Sequence, residues 1–163
     1  MQKTLLVYYS LSGNTKKVAE EMARIGSWDV GVIQDVSRRK GTWGYIRSAL
    51  ETVFKINPAI DYIGNDPGAY DTVVLGSPIW LGRPAAPMRS FAHQYKGKLK
   101  NIACFCTMGG TGSKEWEAQL NAVYGLTPRQ LLAVQEKEAA SESAREKIKF
   151  FVNNISTRLR VAA

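Results

Sequence analysis

The sequence predicts an α/β protein in which a parallel sheet is covered on both faces by helices. The first reason is that strand-like and helix-like segments alternate along the chain, about five times. The second is that residues 71–76 (DTVVLG) form a short apolar run, as expected of a strand buried on both faces. The third is size, because 163 residues with 45% hydrophobic side chains suit one domain, residues 1–163. We therefore expect a three-layer, doubly wound sheet of five parallel strands.

The first half of the chain contains two strand–helix pairs. Their elements are predicted at residues 4–10, 14–25, 28–35 and 43–55. The first strand is an apolar run with valine and tyrosine, and the second alternates apolar and polar side chains. Both helices carry apolar side chains three or four positions apart, namely Val18, Met22 and Ile25 in the first and Ile46, Leu50 and Val53 in the second.

The second half continues the alternation with three more strands. Its elements are predicted at residues 71–76, 84–95, 101–107, 113–123 and 129–134, followed by a last helix. Ser143 and Glu146 predict a capping box at the start of that helix. Its buried stripe is predicted to consist of apolar residues at helical spacing, namely Ile148, Phe151, Val152, Ile155 and Leu159.

Charge and composition argue against several classes of function. The 22 basic and 14 acidic residues give a net charge of +8, which favours acidic partners, anionic surfaces or nucleic acid. However, the basic residues are dispersed without a zinc finger or recognition helix, so we predict a solvated basic face and no nucleic-acid binding. No apolar run of about 18 residues is present, so no transmembrane segment is expected. The amino terminus lacks a signal-peptide layout, which predicts a cytoplasmic protein.

Metal, thiol and acid–base chemistry are not predicted. The single histidine, His93, cannot form a histidine-rich metal site, and we expect it on a helix surface. Cys104 and Cys106 lie two apart in a predicted strand, where they are interpreted as small core hydrophobes. No titratable residue stands out in the loops that follow the strands, so we predict no catalytic side chain and no metal ligand.

Three loops of unusual composition follow predicted strands. They comprise residues 10–15, 76–82 and 107–112. Because ligands of open parallel sheets bind at the carboxyl ends of the strands, we expect these loops to meet at one edge and to form the functional site.

The first loop has the composition of a phosphate site. Ser10, Ser12 and Thr15 offer hydroxyls, Asn14 offers an amide, and Gly13 lets the backbone approach an anion. The start of the following helix adds free N–H groups and the positive end of the helix dipole. Neither the GxxxxGK pattern of nucleotide hydrolases nor the GxGxxG fingerprint follows the strand. Taken alone, the loop is equally consistent with a serine or asparagine that only caps the helix.

The second and third loops favour a flat ligand. Pro78 stiffens the second loop, and Trp80 offers a surface on which a heteroaromatic ring could stack, unless it folds back into the core. The third loop has three glycines within residues 109–112, which suits close approach to a ring, although a simple turn is the alternative. A phosphate site, an aromatic wall and a glycine-rich floor together describe a phosphorylated flat ring, and FMN fits best.

These segments resemble the cofactor loops of flavodoxins. Residues 10–15 (SLSGNT) are similar to the family's phosphate loop, Ser/Thr-x-Ser/Thr-Gly-x-Thr. Residues 76–80 (GSPIW) are similar to its second flavin loop and residues 105–110 (FCTMGG) to its third. The resemblance covers the whole chain and implies the five-stranded order 2-1-3-4-5, with FMN at the switch point between strands 1 and 3.

The resemblance also implies the cofactor contacts. The phosphate would be held by Ser10, Ser12, Gly13, Asn14 and Thr15. The ring would be bordered by Ser77, Pro78, Ile79 and Trp80 on one side and by Thr107, Met108, Gly109 and Gly110 on the other.

The implied function is electron transfer or oxidoreduction with FMN. The acceptor would be a redox partner protein or a small molecule such as a quinone. One alternative is an NAD(P)H-dependent reductase, for which an oligomer would wall the substrate pocket, and another is a flavodoxin-like binding module without flavin. Electron-carrying flavodoxins are strongly acidic, whereas this chain is at +8 and its residues 38–59 are basic and aromatic, so their partner preference does not carry over.

Overall fold

The computed structural model describes residues 3–36, 57–110, 116–118, 120–121 and 125–161, with side chains up to residue 156. The helix predicted at 43–55 lies outside these ranges. Of the helix predicted at 113–123, the described residues 116–118 and 120–121 are helical, and Trp116 and Leu120 are buried.

Most predicted elements are confirmed within one to three residues. The strands are β1 (Thr4–Tyr8), β2 (Asp29–Asp35), β3 (Ile60–Ile63), β4 (Thr72–Trp80), β5 (Arg83–Pro84), β6 (Ile102–Met108) and β7 (Leu131–Gln135). The longer helices are α1 (Asn14–Gly26), α2 (Ala86–Tyr95) and α3 (Glu142–Val161). The main difference in length is β4, which continues four residues beyond its predicted end.

The sheet contains the predicted parallel core and two further strands. Its order is β3-β2-β1-β4-β6-β7, with β5 paired to β4. β2, β1, β4, β6 and β7 are parallel neighbours, which confirms the expected order for five strands. β3 and β5 are antiparallel additions that the prediction of five strands lacked. With four and two residues, they are too short to produce a periodic signal, and each exists because a neighbouring strand pairs with it.

Helices cover the two faces of the sheet, as predicted. Side chains of β1 alternate, so that Leu5 and Val7 join one hydrophobic core while Leu6 and Tyr8 join the other. α2 packs on the first core, and the second core is closed by the apolar stripes of α1 and α3. These stripes contain buried residues at the predicted positions, namely Val18 and Met22 in α1 and Ile148, Phe151, Val152 and Ile155 in α3.

The start of α3 differs from the prediction. The N-cap is Ser141, whose Oγ accepts a hydrogen bond of 3.1 Å from the Ala144 N–H. Ser143 lies inside the first turn, and Glu146 pairs with Lys149 at 3.0 Å, so the predicted capping box is wrong. The serine two positions earlier takes the cap because the helix begins at Glu142.

Candidate cofactor site

The structure brings the three predicted segments to one edge of the sheet. The Tyr9 N–H donates to the Gly76 carbonyl at 3.0 Å, which joins the end of β1 to β4. On the other side of β4, Pro78 is in register with Thr107 of β6. The segments that follow β1, β4 and β6 therefore share the carboxyl edge, where open parallel sheets bind ligands.

The first turn of α1 has no side-chain cap. Its N-cap is Gly13, which adopts the left-handed conformation with φ of 93° and donates its own N–H to Ser10 Oγ at 3.1 Å. The first hydrogen bond along the helix runs from the Lys17 N–H to the Gly13 carbonyl at 3.1 Å. The interpretation that Ser12 or Asn14 only caps this helix is therefore wrong.

The uncapped turn leaves donors without an acceptor. No described group accepts a hydrogen bond from the backbone N–H of Asn14, Thr15 or Lys16. A Cβ added at Gly13 would meet no atom within 4 Å, so the backbone is open at this point. Three N–H groups at the positive end of a 13-residue helix favour an anion.

The second segment is a β-hairpin, which corrects the predicted loop. Ser77–Trp80 belong to β4, and β5 pairs with the last two of these residues across a two-residue turn. In that turn Leu81 and Gly82 have φ of 49° and 74°. The sequence predicted a loop at residues 76–82, a segment that contains Pro78 and Gly82. In the hairpin, Gly82 supplies a positive φ, and the Pro78 carbonyl accepts from the Ala85 N–H at 3.1 Å.

Side chains of this hairpin have different surroundings. Ser77 is fully buried, where its Oγ accepts from the Ala85 N–H at 3.0 Å and donates to the Pro78 carbonyl at 2.9 Å. Ile79 is buried beside it. Trp80 is half-buried and meets Tyr9 edge to face, with ring centroids 6.0 Å apart. Part of the indole is therefore covered by the core, and part remains accessible to a ligand.

The third segment combines a buried strand end with an open loop. Thr107 and Met108 are buried at the end of β6, whereas Gly109 and Gly110 are exposed, and a Cβ added at either glycine would meet no atom within 4 Å. The Gln135 side chain donates to the Gly110 carbonyl at 3.1 Å. Residues 111–112 of the predicted loop lie outside the described residues.

A buried contact joins the first and third segments. Thr15 Oγ1 and Thr107 Oγ1 are 2.7 Å apart, and either hydroxyl can be the donor. This contact fixes the first turn of α1 against the end of β6. Sequence reasoning missed it because the residues are 92 positions apart and no local pattern connects them.

A cleft of about 600 Å³ lies on the β2 side of the first segment, which the sequence did not indicate. Its lining includes Tyr8, Ser10, Lys16, Gln34 and Ile63. Burial and, to a smaller extent, Glu20 raise the pKa of Tyr8, so its phenol stays neutral at neutral pH.

The site carries positive charge and no described acid–base pair. Residues 9–17, 77–85 and 107–110 contain no aspartate or glutamate but include Lys16, Lys17 and Arg83. Burial raises the pKa of Cys106 to about 12 and that of Cys104 well above its usual value, so both thiols remain protonated core side chains, as predicted. Among the described residues, no cluster of metal-ligating side chains is present and no helix could cross a membrane.

Comparisons with known proteins point to one family. A family model described as Flavodoxin matches residues 3–155. A flavoprotein from Lactobacillus acidophilus NCFM, solved in complex with FMN, is 28% identical, with 88% of this chain and 99% of that chain covered and a TM-score of 0.71. The apo-form of the flavoprotein from that organism is 29% identical, with 82% and 92% covered and a TM-score of 0.62. The Fusobacterium nucleatum flavodoxin bound to flavin mononucleotide, at 10% identity, 97% and 99% coverage and a TM-score of 0.60, is similar in fold alone. No curated protein matches the chain.

Proposed function

Because the chain belongs to the flavodoxin family, we propose that it binds FMN at the carboxyl edge of β1, β4 and β6 and acts in electron transfer or oxidoreduction. The observation that carries this proposal is the uncapped start of α1, where a left-handed glycine precedes three backbone N–H groups that have no acceptor within the part of the chain that the structure describes. A glycine at the N-cap in place of a capping side chain costs about a few tenths of a kcal/mol. A bound phosphate would supply the missing acceptors.

The residues present fit the two ends of FMN. The phosphate would lie against the Gly13 backbone and the first-turn N–H groups, with hydroxyls from Ser10 and Ser12 and the amide of Asn14 as further donors. Thr15 is buried and bonded to Thr107, so its main contribution would be its backbone N–H and the position of the turn.

The ring would lie between the hairpin and the loop after β6. Trp80 and the neighbouring positions Ser77, Pro78 and Ile79 would form one wall, and Thr107, Met108, Gly109 and Gly110 the other. Ser77 would act through the hairpin that it braces, since its hydroxyl is already used twice. The two open glycines leave room for a flat group beside the backbone.

Bound FMN would supply the redox chemistry, and the protein would supply position and electrostatics. The chain's own contribution would be to hold the phosphate with neutral donors, to exclude water from one face of the ring with Trp80, and to place the cation of Arg83 beside the ring. No described side chain in these segments is placed as an acid or a base, which is consistent with a protein that tunes its cofactor and leaves the reaction to it.

This function could take two forms, which differ in the molecule that exchanges electrons with the ring. A carrier would dock a redox partner protein, and the net charge of +8 would suit an acidic one. A reductase would oxidise NAD(P)H and reduce a small acceptor such as a quinone. Steady-state consumption of NAD(P)H with a quinone would favour the reductase, and reduction of an acidic redox protein without such turnover would favour the carrier.

The first experiment is a titration of the apo-protein with FMN and with riboflavin, followed by absorbance and flavin fluorescence. Riboflavin lacks the phosphate, so wild-type protein should bind FMN much more tightly. The double variant Ser12→Ala/Asn14→Ala should weaken FMN binding about a hundredfold or more, since it removes two hydrogen bonds to a charged group and each contributes about 1.5–3 kcal/mol. Riboflavin binding should hardly change. Ser143→Ala, in the first turn of α3, is the matched control.

Trp80→Ala tests the ring end of the site, and it should affect both ligands instead of FMN alone. It should weaken FMN and riboflavin by the same factor and restore flavin fluorescence, because the ring is common to both ligands. Absence of flavin binding by the wild-type protein would refute the proposed function. Equal losses of FMN and riboflavin in the Ser12→Ala/Asn14→Ala variant would refute the phosphate assignment alone.

A further inference from the structure

Arg83 occupies a position that brings a cation next to the ring site. It follows the Leu81–Gly82 turn and is paired directly with Trp80 across the hairpin. Directly opposed residues of an antiparallel pair project from the same face, with their Cβ atoms roughly 5 Å apart. Arg83 therefore lies beside Trp80, on the face of the hairpin that carries the indole.

The described surroundings of Arg83 supply no partner for its charge. Its side chain is half-buried and makes no hydrogen bond or ion pair with any described residue. More exposed cations elsewhere do have partners, as Arg24 does with Glu21 at 2.8 Å and Lys98 with Asp66 at 3.1 Å. Partial burial of a guanidinium is unfavourable unless negative charge is supplied. A ligand at this site is the candidate source, since the three site segments contain no acidic residue.

We infer that Arg83 is the counter-charge for reduced FMN and that it raises the reduction potential of the bound cofactor. This inference rests on the proposed function. At neutral pH the oxidised ring takes up two electrons and one proton and becomes an anion. The electrons come from a hydride donor or a reduced redox protein in the cell and from dithionite in the test. Arg83 stabilises only the negative charge that appears on the ring.

The consequence is a difference between the affinities for reduced and oxidised FMN. A cation that interacts with the anionic ring but not with the neutral ring raises the affinity for reduced FMN selectively. The other charged groups in the described site segments, Lys16 and Lys17, are exposed lysines of α1, whose charges are screened by solvent. The partly desolvated Arg83 should therefore have the larger effect.

The test is a dithionite titration of the FMN-loaded protein with an indicator dye at pH 7, for wild type, Arg83→Gln and Arg83→Lys. Lys98→Gln is the matched control, because it also removes one positive charge but precedes β6, at the opposite edge of the sheet. Arg83→Gln should lower the affinity for reduced FMN about tenfold relative to oxidised FMN, which corresponds to a potential about 30 mV lower. Arg83→Lys should keep most of the wild-type potential, and Lys98→Gln should keep all of it.

The outcomes separate this inference from the function on which it rests. If wild-type protein binds no FMN, the proposed function is wrong and the inference falls with it. If wild type binds FMN and Arg83→Gln retains the wild-type potential, only the inference is wrong. It is also overturned if Arg83→Gln lowers the affinities for oxidised and reduced FMN by the same factor, because Arg83 would then bind the cofactor equally in both states. An equal lowering of the reduction potential in Lys98→Gln would also overturn the inference, because the effect would then come from the net charge of the protein.

Discussion

The buried hydroxyl pair between Thr15 and Thr107 should couple the first turn of α1 to the end of β6. Both residues are almost fully buried, with exposed fractions of 1% and 0%, and their Oγ1 atoms are 2.7 Å apart. Thr15→Val removes one hydroxyl and leaves the other buried without a partner. That costs about 1–3 kcal/mol. Thr107→Val should cost a similar amount.

The double variant should be less destabilised than the sum of the single variants. Taking about 2 kcal/mol for each single change, additivity would give about 4 kcal/mol. The double variant leaves no orphaned hydroxyl, so we expect a destabilisation of about 2 kcal/mol or less and therefore a coupling energy of about 2 kcal/mol or more. For a chain of this length, each single variant should melt roughly 4–8 °C below wild type.

The assay is urea unfolding of the flavin-free protein, followed by circular dichroism, so that ligand binding does not contribute. Thr72→Val is a suitable control, because Thr72 Oγ1 is buried and has no hydrogen-bond partner among the residues that the structure describes. Removing that hydroxyl should leave the free energy of unfolding unchanged or raise it. Strictly additive losses at Thr15 and Thr107, or single variants no less stable than Thr72→Val, would refute the reasoning.

Three further predictions concern the hairpin, the sheet and the thiols. Gly76→Ala should destabilise the protein by about 1–3 kcal/mol, because the added Cβ would collide with the buried Phe105 ring. Gly97→Ala is the control, since a Cβ at that position has open space around it and should not lower the midpoint of urea unfolding. Leu81 has φ of 49° and is 71% exposed, so replacing it with asparagine relieves backbone strain and loses little buried surface. Leu81→Asn should therefore raise the free energy of unfolding by roughly 1 kcal/mol. An unchanged midpoint of urea unfolding would contradict this expectation. Burial raises the pKa of Cys106 from 9.0 to about 12. Its contribution to stability is therefore complete below pH 9 and is lost as the pH rises towards 12, so Cys106→Ala should flatten the fall in urea midpoint between pH 9 and 11.

The sequence alone determined the layered architecture and the edge at which function was expected. Val18 and Met22 lie at helical spacing, and both proved buried. The apolar run at 71–76 predicted a buried parallel strand, and β4 is one. Such patterns depend on which side chains of one segment are removed from water, so they can be interpreted without knowing the surface against which the segment packs. The polar and glycine-rich segments could be located in the same way, because each directly follows such a pattern.

Only the tertiary structure decided what these segments do to one another. It converted the predicted loop after β4 into a hairpin and set Arg83 beside Trp80. It left α1 without a side-chain cap and joined Thr15 to Thr107 across 92 residues. Capping, cross-strand register and buried hydrogen bonds depend on which distant groups meet after the chain has packed. Propensity and periodicity describe neighbours along the chain, and they therefore contain no information on these contacts.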